Sequence, residues 1–282
     1  MIDKLTELPS QPGPIGVFDS GYGGLTVLEE LRHSMPQYDY LYLGDNARAP
    51  YGPRSFELVY EFTLQAVKRL FELGCHLVII ACNTASAKAL RSIQQRDLGS
   101  IDPERRVLGV IRPTAEKLGD ISRNGHIGLL GTPGTIASQS YDMEIAKLYP
   151  EFRVSSHACP MWVPLVEYRE AAGEGADFFV KKDLDTLMAL DPDIDTIILG
   201  CTHYPLLLPK ISRYAPMGVN LLSQGKIVAD SLANYLDRHP EMERRISRGA
   251  SARFLTTEEA SKFNDVAGMF LNESVTATRI IL

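Results

Sequence analysis

Two short segments of this chain resemble each other closely enough to constrain its fold. Residues 77–84 (LVIIACNT) and 197–203 (IILGCTH) each contain an aliphatic run, a small residue, a cysteine and a polar pair with a hydroxyl group. The aliphatic run is typical of a short buried strand. Buried cysteines usually behave as small hydrophobes, which rarely need such polar neighbours. Because Cys82 and Cys201 lie 119 positions apart (201 minus 82), the pattern predicts two thiols that two halves of the chain bring to one site.

Strand patterns alternate with helical patterns around the first cysteine. The strand patterns up to residue 111 lie at residues 15–18, 40–43, 77–81 and 107–110. Residues 56–73 have helical spacing, and Gly74 is a common signal for the end of a helix. This alternation predicts parallel sheets that are covered by helices.

The same order of elements recurs in the second part of the chain. Residues 15–21 (IGVFDSG) resemble residues 127–134 (IGLLGTPG), the loop after Leu43 has a counterpart after Val154, and the Cys82 strand has one in the Cys201 strand. Short aliphatic strands look alike by chance, but three elements in one order favour a duplication. We therefore predict an α/β fold of two similar parallel-sheet domains related by pseudo-twofold symmetry. The active site would lie in the cleft between them, because open α/β sheets bind ligands beyond the carboxyl ends of their strands.

The domain boundaries follow from this repeat. We predict a first, discontinuous domain over residues 1–111 plus 220–282, in which residues 1–14 form a loose tail. The second domain would cover residues 112–219. The strand-like residues 253–256 suggest that the last part of the chain returns to complete the first domain.

Composition excludes several classes of partner. The net charge is −6 and the basic residues are scattered, so we expect no binding to nucleic acid or to an anionic membrane. No apolar run approaches the ~18 residues of a membrane span, and the first 14 residues do not resemble a signal peptide. We therefore expect a cytoplasmic protein with reduced thiols. The four cysteines form no CxxC pair, which argues against a zinc knuckle or a thioredoxin-type motif.

A pair of reduced thiols at one cleft has three plausible uses. Redox exchange needs the two sulfurs close enough to form a bond of ~2 Å. Metal binding needs further His, Cys or carboxylate ligands at suitable spacing. Acid–base catalysis needs one thiolate that removes a proton and an opposite thiol that supplies one. With each sulfur roughly 3–3.5 Å from a central carbon, the two sulfurs would lie about 6–7 Å apart.

Acid–base chemistry requires an accessible thiolate. An ordinary cysteine, with a pKa of ~8.5, is only a few per cent ionised at pH 7. Lowering the pKa to ~7 takes about 2 kcal/mol of differential stabilisation. A turn from a strand into a helix provides free N–H groups and a positive helix end. Such turns are predicted at Asn83–Thr84 and at Thr202–His203, and their groups can also bind a carboxylate.

Three further segments carry polar groups that chemistry could use. Residues 19–24 (DSGYGG) follow the first strand but lack both the GxGxxG spacing of a dinucleotide site and the Gly-Lys of a P-loop. Residues 45–52 form a long loop with Asp45 and Tyr51, and Glu167 ends an apolar turn. Taken alone, residues 19–24 favour an N-capped turn, residues 45–52 are typical of an ordinary surface loop, and Glu167 is typical of an acid at the start of a helix.

Together, the motifs resemble those of the glutamate racemases. The resemblance rests on residues 19–25 (DSGYGGL), 50–52 (PYG), 81–85 (ACNTA), 163–167 (VPLVE) and 200–205 (GCTHYP). These motifs occur in the family's order over residues 15 to about 210, and residues 254–257 resemble a late strand of the family. The combination of Cys-Asn-Thr with Cys-Thr-His-Tyr-Pro is specific within the aspartate/glutamate racemase superfamily.

The resemblance implies a racemase that uses no cofactor and no metal, with glutamate as its small-molecule substrate. It matches Cys82 and Cys201 to the two catalytic thiols and Asp19 and His203 to their polar assistants, with Glu167 and Asp45 as further site carboxylates. The substrate contacts it implies are Asp19, Ser20, Tyr51, Gly52, Asn83, Thr84, Thr202 and His203. In a bacterium the D-glutamate would supply peptidoglycan synthesis. We consider a homodimer as a candidate assembly.

Other functions remain open. One alternative is a racemase of the same superfamily that acts on aspartate or another small amino acid; His203 with the following Tyr-Pro favours glutamate. A second alternative is a non-catalytic anion-binding α/β protein whose cysteines are core residues. A redox protein is the third.

Overall fold

The computed structural model describes residues 11–282 of the chain. Most of the predicted loose tail therefore lies outside the described residues. Gly13 exchanges backbone hydrogen bonds with the segment around Ile246, through Arg245 O at 2.9 Å and Ser247 N at 2.9 Å. The loose tail therefore does not extend to Gly13. Over the described part of the chain, every helix is too short or too polar to cross a bilayer.

Ten β-strands form within residues 11–282, and all of their pairings are parallel. They are β1 (Ile15–Asp19), β2 (Tyr40–Gly44), β3 (Leu77–Ile80), β4 (Arg106–Gly109), β5 (His126–Gly131), β6 (Arg153–Ala158), β7 (Thr196–Gly200), β8 (Asn220–Leu222), β9 (Ala252–Thr256) and β10 (Ala277–Arg279).

The helices lie between these strands. They are α1 (Leu25–Ser34), α2 (Phe56–Glu72), α3 (Asn83–Lys88), α4 (Leu90–Ser92), α5 (Leu98–Ile101), α6 (Ile111–Ile121), α7 (Pro133–Ala137), α8 (Ser140–Leu148), α9 (Trp162–Glu167), α10 (Glu174–Leu190), α11 (Leu208–Tyr214), α12 (Gly225–Arg238), α13 (Pro240–Glu243) and α14 (Ala260–Leu271). Short 3₁₀ turns cover Asn46–Arg48 and Tyr204–Leu207, and a π turn covers Ile93–Asp97.

The strands divide into two sheets with the same internal order. The first sheet has the order β10-β9-β2-β1-β3-β4 and the second has the order β6-β5-β7-β8. If the strands of each half are numbered from its start, both sheets contain the order 2-1-3-4. Cys82 follows the third strand of the first set, and Cys201 follows the third strand of the second. The predicted α/β fold with two similar parallel sheets is confirmed.

One boundary differs from the sequence prediction. The strand β8 pairs with β7, with Thr196 opposite Asn220, so residues 220–222 belong to the second sheet and not to the first. The chain returns to the first sheet after Leu222, through α12, which packs against α1. The division into domains stays a prediction, and we place its second boundary after residue 222. Sequence reasoning assigned residues 220–222 to the first domain because the short apolar run at residues 219–222 carries no sign of its partner.

The central strands are buried, as expected for parallel strands covered on both faces. All residues of β1, β2, β3 and β7 are buried. The helix α2 shows how local sequence signals set the boundaries. The Ser55 hydroxyl accepts a hydrogen bond from Leu58 N at its start, and Gly74 follows its end with a φ of +92°, a conformation that favours glycine. This agrees with the predicted helix over residues 56–73.

Candidate active site

A single cavity brings Cys82 and Cys201 together between the two sheets. Its volume is about 350 Å³, which suits a small ligand, and both cysteines are only 6% exposed. A larger cavity of about 420 Å³ elsewhere in the molecule contains neither cysteine, so chemistry and not size identifies the site. Other polar or reactive residues that line the smaller cavity are Ser20, Tyr51, Asn83, Thr84, Thr132, Cys159, Glu167, Thr202 and His203.

Cys82 sits at the turn from β3 into α3. Its sulfur is 3.4 Å from Ser20 Oγ and accepts a hydrogen bond from Ala85 N at 3.5 Å. Burial raises the pKa of the Cys82 thiol to about 12, and the nearby Asp19 carboxylate adds to the increase, whereas the Ser20 and Ala85 donors oppose it. Cys82 is therefore held as a thiol at neutral pH.

Cys201 is followed by an imidazole and a carboxylate. His203 Nδ1 lies 3.8 Å from the Cys201 sulfur, and His203 Nε2 lies 3.1 Å from Glu167 Oε1. Burial disfavours charge on His203, but the hydrogen bonds to Cys201 and Glu167, together with their negative charges, raise its pKa to about 10. The ring is therefore protonated at neutral pH and donates to Cys201 on one side and to Glu167 on the other.

Asp19 lies behind the cavity wall. It accepts hydrogen bonds from Gly21 N at 2.9 Å and from the Thr202 hydroxyl at 3.4 Å. Burial raises the pKa of Asp19, and the charge on His203 works in the opposite direction. The direct polar partner of the Cys82 sulfur is Ser20, whereas Asp19 contacts the turn after β7 in the other sheet.

The glycines of the loop after β1 allow this contact. A Cβ on Gly23 would lie 2.2 Å from Thr202 Oγ1 and 2.5 Å from His203 Nδ1. Any larger residue would therefore push the first loop away from the Cys201 turn. The DSGYGG segment thus acts as a close-packed bridge between the two sheets.

Asp45 does not line the cavity, although the family resemblance implied that it is a site carboxylate. Its oxygens accept hydrogen bonds from Arg48 Nε at 2.7 Å, from Thr257 Oγ1 at 2.9 Å and from the Tyr51 hydroxyl. Burial and the Asp45 charge raise the pKa of Tyr51, so its hydroxyl keeps its proton and donates to Asp45. The contacts indicate that Asp45 orients Tyr51, which lines the cavity together with Gly52.

Two residues that were expected to contact substrate also join the halves. Thr84 Oγ1 is 2.8 Å from Thr132 Oγ1, which lies after β5 in the second sheet. The Asn83 amide is fully engaged, since Nδ2 donates to Gln224 Oε1 at 2.6 Å and Oδ1 accepts from the Tyr141 hydroxyl at 2.6 Å. The amide of Asn83 is therefore held away from a ligand.

Gln224 was missed by sequence reasoning. Its Nε2 donates to Tyr141 Oη at 2.5 Å and to Thr114 Oγ1 at 2.9 Å. Thr114 belongs to α6, where the chain enters the second half, and Gln224 precedes α12, where it returns. This buried network ties both chain crossings to the residue after Cys82. In the sequence, Gln224 is only a glutamine between a strand and a helix, and no specific motif marks it.

Metal-ligand geometry occurs away from the two thiols. Among residues 11–282, two groups of side chains have ligand atoms close enough to share an ion: His157 with Cys159 and Asp183, and His126 with Asp191 and Asp193. Neither group contains Cys82 or Cys201.

Comparison with known proteins agrees with this chemistry. The sequence model of the Asp/Glu/hydantoin racemase family matches residues 25–232, and this chain belongs to that family. It is 41% identical over 272 residues to a glutamate racemase of Ruegeria sp. (strain TM1040), covering 93% of this chain and 98% of the relative.

Solved structures of glutamate racemases match the fold. The structure from Bacillus anthracis has a TM-score of 0.87 at 35% identity, with 96% of this chain and 98% of that chain covered. The structure from Francisella tularensis in complex with D-glutamate has a TM-score of 0.85 at 31% identity, with the same coverage. The resemblance that the motifs predicted is therefore confirmed over nearly the whole chain.

Proposed function

We propose that this chain is a glutamate racemase, which interconverts L- and D-glutamate by moving a proton at the α carbon without a cofactor. One observation carries the proposal. Cys82 and Cys201 follow equivalent strands of two similar sheets and line one cavity. A tetrahedral α carbon between them can lose its proton to one sulfur, become planar, and gain a proton from the other sulfur on the opposite face, which inverts its configuration.

The two thiols exchange roles with the direction of turnover. In one direction the Cys82 thiolate removes the α proton and the Cys201 thiol returns one to the opposite face; in the other direction their tasks are reversed. Each sulfur therefore alternates between base and acid, and the chain regains its starting state after the two sulfurs exchange protons with solvent. Proton transfer by a positioned group contributes typically ~10²–10⁴-fold to the rate.

Substrate charge helps to create the base. The Cys82 thiol has a pKa of about 12 because burial and the Asp19 charge disfavour its ionised form. The α-ammonium group of a bound amino acid brings a positive charge next to the sulfur, and an opposite charge within ~4–6 Å favours the thiolate. The Ser20 hydroxyl and Ala85 N–H then stabilise the thiolate that forms.

The second thiol has its own assistant. The protonated His203 ring donates toward the Cys201 sulfur and is held by Glu167. A charge-assisted hydrogen bond of this kind stabilises a thiolate more than a neutral donor does. The ring therefore supports Cys201 when that sulfur has given up its proton.

The carboxylates of the substrate meet neutral donors in the cavity. Ser20, Thr84 and Thr202 line the cavity. Because the Thr202 hydroxyl donates to Asp19, the donors that we propose for the carboxylates are the Ser20 and Thr84 hydroxyls and the backbone N–H groups at the two strand-to-helix turns. The Asn83 side chain is not available, because Gln224 and Tyr141 occupy it. We therefore propose that Asn83 contributes through its backbone and that Asp45 acts only through Tyr51.

The direct test is polarimetry of purified protein with L-glutamate, without pyridoxal phosphate. We expect the rotation to decay to zero, and dialysis against EDTA to leave the rate unchanged. In D₂O, the D-glutamate formed first should carry deuterium at the α carbon, while unreacted L-glutamate stays protiated. Early deuterium in the L-glutamate pool would contradict a site with one sulfur on each face.

The alternatives have separate outcomes. A preference for aspartate over glutamate in the same assay would assign the chain to a sister activity. Cysteines that do not react with iodoacetamide, in a protein that leaves both enantiomers unchanged, would favour an anion-binding protein. A disulfide between Cys82 and Cys201 under mild oxidant would favour a redox role.

The cellular setting is also a proposal. We propose that the D-glutamate supplies peptidoglycan synthesis in the bacterial cytoplasm, as the family resemblance implies. Depletion of the protein in its host, with rescue by added D-glutamate, tests this role. The homodimer stays a prediction, and light scattering of the purified chain measures it.

A further inference from the structure

A second group of reactive side chains lies beside the cavity but outside the racemisation machinery. His157 is in β6, Cys159 follows that strand, and Asp183 is on α10. Their ligand atoms all lie within 4.8 Å of one another. Cys159 and Asp183 are buried and His157 is partly exposed. The two racemase thiols do not belong to this cluster.

Only one of the two Asp183 carboxylate oxygens has a hydrogen-bond partner among the described residues. Its Oδ1 lies 3.0 Å from His157 Nε2, but its Oδ2 is buried without a hydrogen-bond partner among the residues that the structure describes. Only 7% of the Asp183 side chain is exposed. A buried carboxylate oxygen without a partner is costly, so its position calls for a ligand that supplies positive charge.

The charge balance of the cluster points the same way. Within residues 11–282, His157 is the only basic side chain that pairs with Asp183. A cation at the centre of the cluster would neutralise the carboxylate and displace the thiol proton.

We propose that His157, Cys159 and Asp183 form a zinc site, with water from the cavity as the fourth ligand. Imidazole, thiolate and carboxylate are all zinc ligands, and three protein ligands with one water form an open tetrahedral site. The 3.0 Å between His157 Nε2 and Asp183 Oδ1 is close to the ~3.3 Å expected for two atoms bound ~2.0–2.1 Å from one tetrahedral zinc. Binding releases the Cys159 proton to solvent, and His157 binds as neutral imidazole.

The backbone around the proposed ligand is already fixed. Cys159 N donates to Gly131 O at 2.8 Å, and the Tyr204 hydroxyl donates to Cys159 O at 3.3 Å. Such supporting contacts hold a ligand in place before the metal arrives. Because the site needs no change in Cys82 or Cys201, zinc binding and racemisation are separate properties that can be tested separately.

The test uses the full chain with Cys82→Ser and Cys201→Ser, so that the racemase thiols cannot bind metal. Titration with Co²⁺, which reports on zinc sites, should give one equivalent bound and a thiolate-to-cobalt charge-transfer band that Zn²⁺ removes. Adding His157→Gln should weaken binding by at least the ~10–100-fold that losing a supporting contact costs, and adding Cys159→Ala should abolish the band. His126→Gln, in the other cluster, should leave the band unchanged.

A thermal measurement covers the case in which Cys159→Ala fails to fold. His157 is partly exposed, so His157→Gln should fold, and Zn²⁺ should raise the melting temperature of its parent but not of this variant. No charge-transfer band in the parent, a band that persists in the folded Cys159→Ala variant, or an equal Zn²⁺ effect with and without His157 would each overturn the proposal.

Discussion

The two halves of the site share a backbone plan but surround their thiols differently. Cys82 and Cys201 both follow the third strand of a 2-1-3-4 sheet. Cys82 has neutral donors, the Ser20 hydroxyl and the Ala85 N–H, whereas Cys201 has a protonated imidazole that is held by a carboxylate. The duplicated fold therefore sets where the sulfurs lie, and the loops set how each sulfur is stabilised as a thiolate.

This difference predicts unequal chemistry in the two directions of turnover. A substrate ammonium is the main positive charge available to Cys82, while Cys201 has the His203 ring, held by Glu167, beside it. Yet the halves are not independent, because Asp19 accepts from Thr202 and Gly23 packs against the same turn. Variants that affect one thiol and not the other distinguish the contribution of the shared fold from that of the loops around each sulfur.

The largest effect is expected from removing either sulfur. Cys82→Ala and Cys201→Ala should each lower racemisation by at least the ~10²–10⁴-fold of a general acid–base group, because both directions need one base and one acid. Initial rates from both enantiomers measure this. Cys75→Ala is the matched control, since Cys75 is fully buried in the core and does not line the cavity.

The same variants also distinguish a shared from a divided site. If one thiol were a bystander, its alanine variant would keep a rate within a factor of two of the unchanged chain. The two thiols would then not have equivalent roles in the reaction, even though the two sheets match.

His203→Asn should have the next largest effect. The variant removes a charge-assisted hydrogen bond to Cys201, worth roughly 1.5–3 kcal/mol, which corresponds to roughly 10–100-fold in rate. We expect kcat to fall unequally in the two directions, because only one of them uses Cys201 as the base. Equal losses in all kinetic constants would instead indicate a general structural role for His203.

Much of this comparison could be read from the sequence. The aliphatic runs before Cys82 and Cys201 predicted parallel strands, and the polar residues that follow each cysteine predicted the turns at the cavity. Local patterns suffice there because a strand, its end and the next helix are contiguous in the chain. Glu167 and His203 were both named, and the structure brings them within 3.1 Å.

Contacts between distant segments could not be read in this way. Nothing in residues 219–222 shows that β8 joins the second sheet, and nothing near Asp45 shows that Tyr51, Arg48 and Thr257 occupy its oxygens. Gln224 lies 141 positions from Asn83 (224 minus 83), to which it is bonded. Such pairs depend on how two halves dock, which a single sequence does not encode in any local pattern.

A smaller effect is expected from Gln224→Leu. The variant leaves the buried Asn83 Nδ2 without an acceptor and Tyr141 without its donor, at a cost of roughly 1–3 kcal/mol in the free energy of unfolding. Because Asn83 follows Cys82 directly, we expect a kcat loss below about tenfold. We also expect the iodoacetamide labelling rate of Cys82, relative to that of Cys201, to be lower than in the unchanged chain. Mass spectrometry of the labelled peptides measures both rates.

Thr114→Val provides the control for this network. It removes the Gln224 contact to α6 at 2.9 Å and leaves the Asn83 bonds in place, so it should lower stability without changing the labelling ratio. A change in labelling that is the same for both cysteines in Gln224→Leu would show that the network stabilises the fold without positioning Cys82.

The smallest effect is a shift in pH dependence, and it isolates the imidazole on the Cys201 side. His203 has a pKa of about 10, above the ordinary value of 6.5, so its charged form contributes stability that is complete below about 6.5 and is lost as the pH rises through about 10. We expect turnover to decline over the same upper range, because the neutral ring no longer supports the Cys201 thiolate.

Glu167→Gln removes the negative charge that helps to hold the proton on Nε2 of His203. Loss of a charge-assisted bond of roughly 1.5–3 kcal/mol corresponds to roughly 1–2 pH units. The alkaline limb of kcat should therefore move to lower pH, and it should move more in the direction in which Cys201 acts as the base. Rate profiles from both enantiomers, recorded with the unchanged chain and with Glu167→Asp as the charge-conserving control, measure the shift. A limb that stays in place in Glu167→Gln, or that moves upward, would show that Glu167 does not control the His203 proton, and the difference between the two halves would then rest on the position of the ring alone.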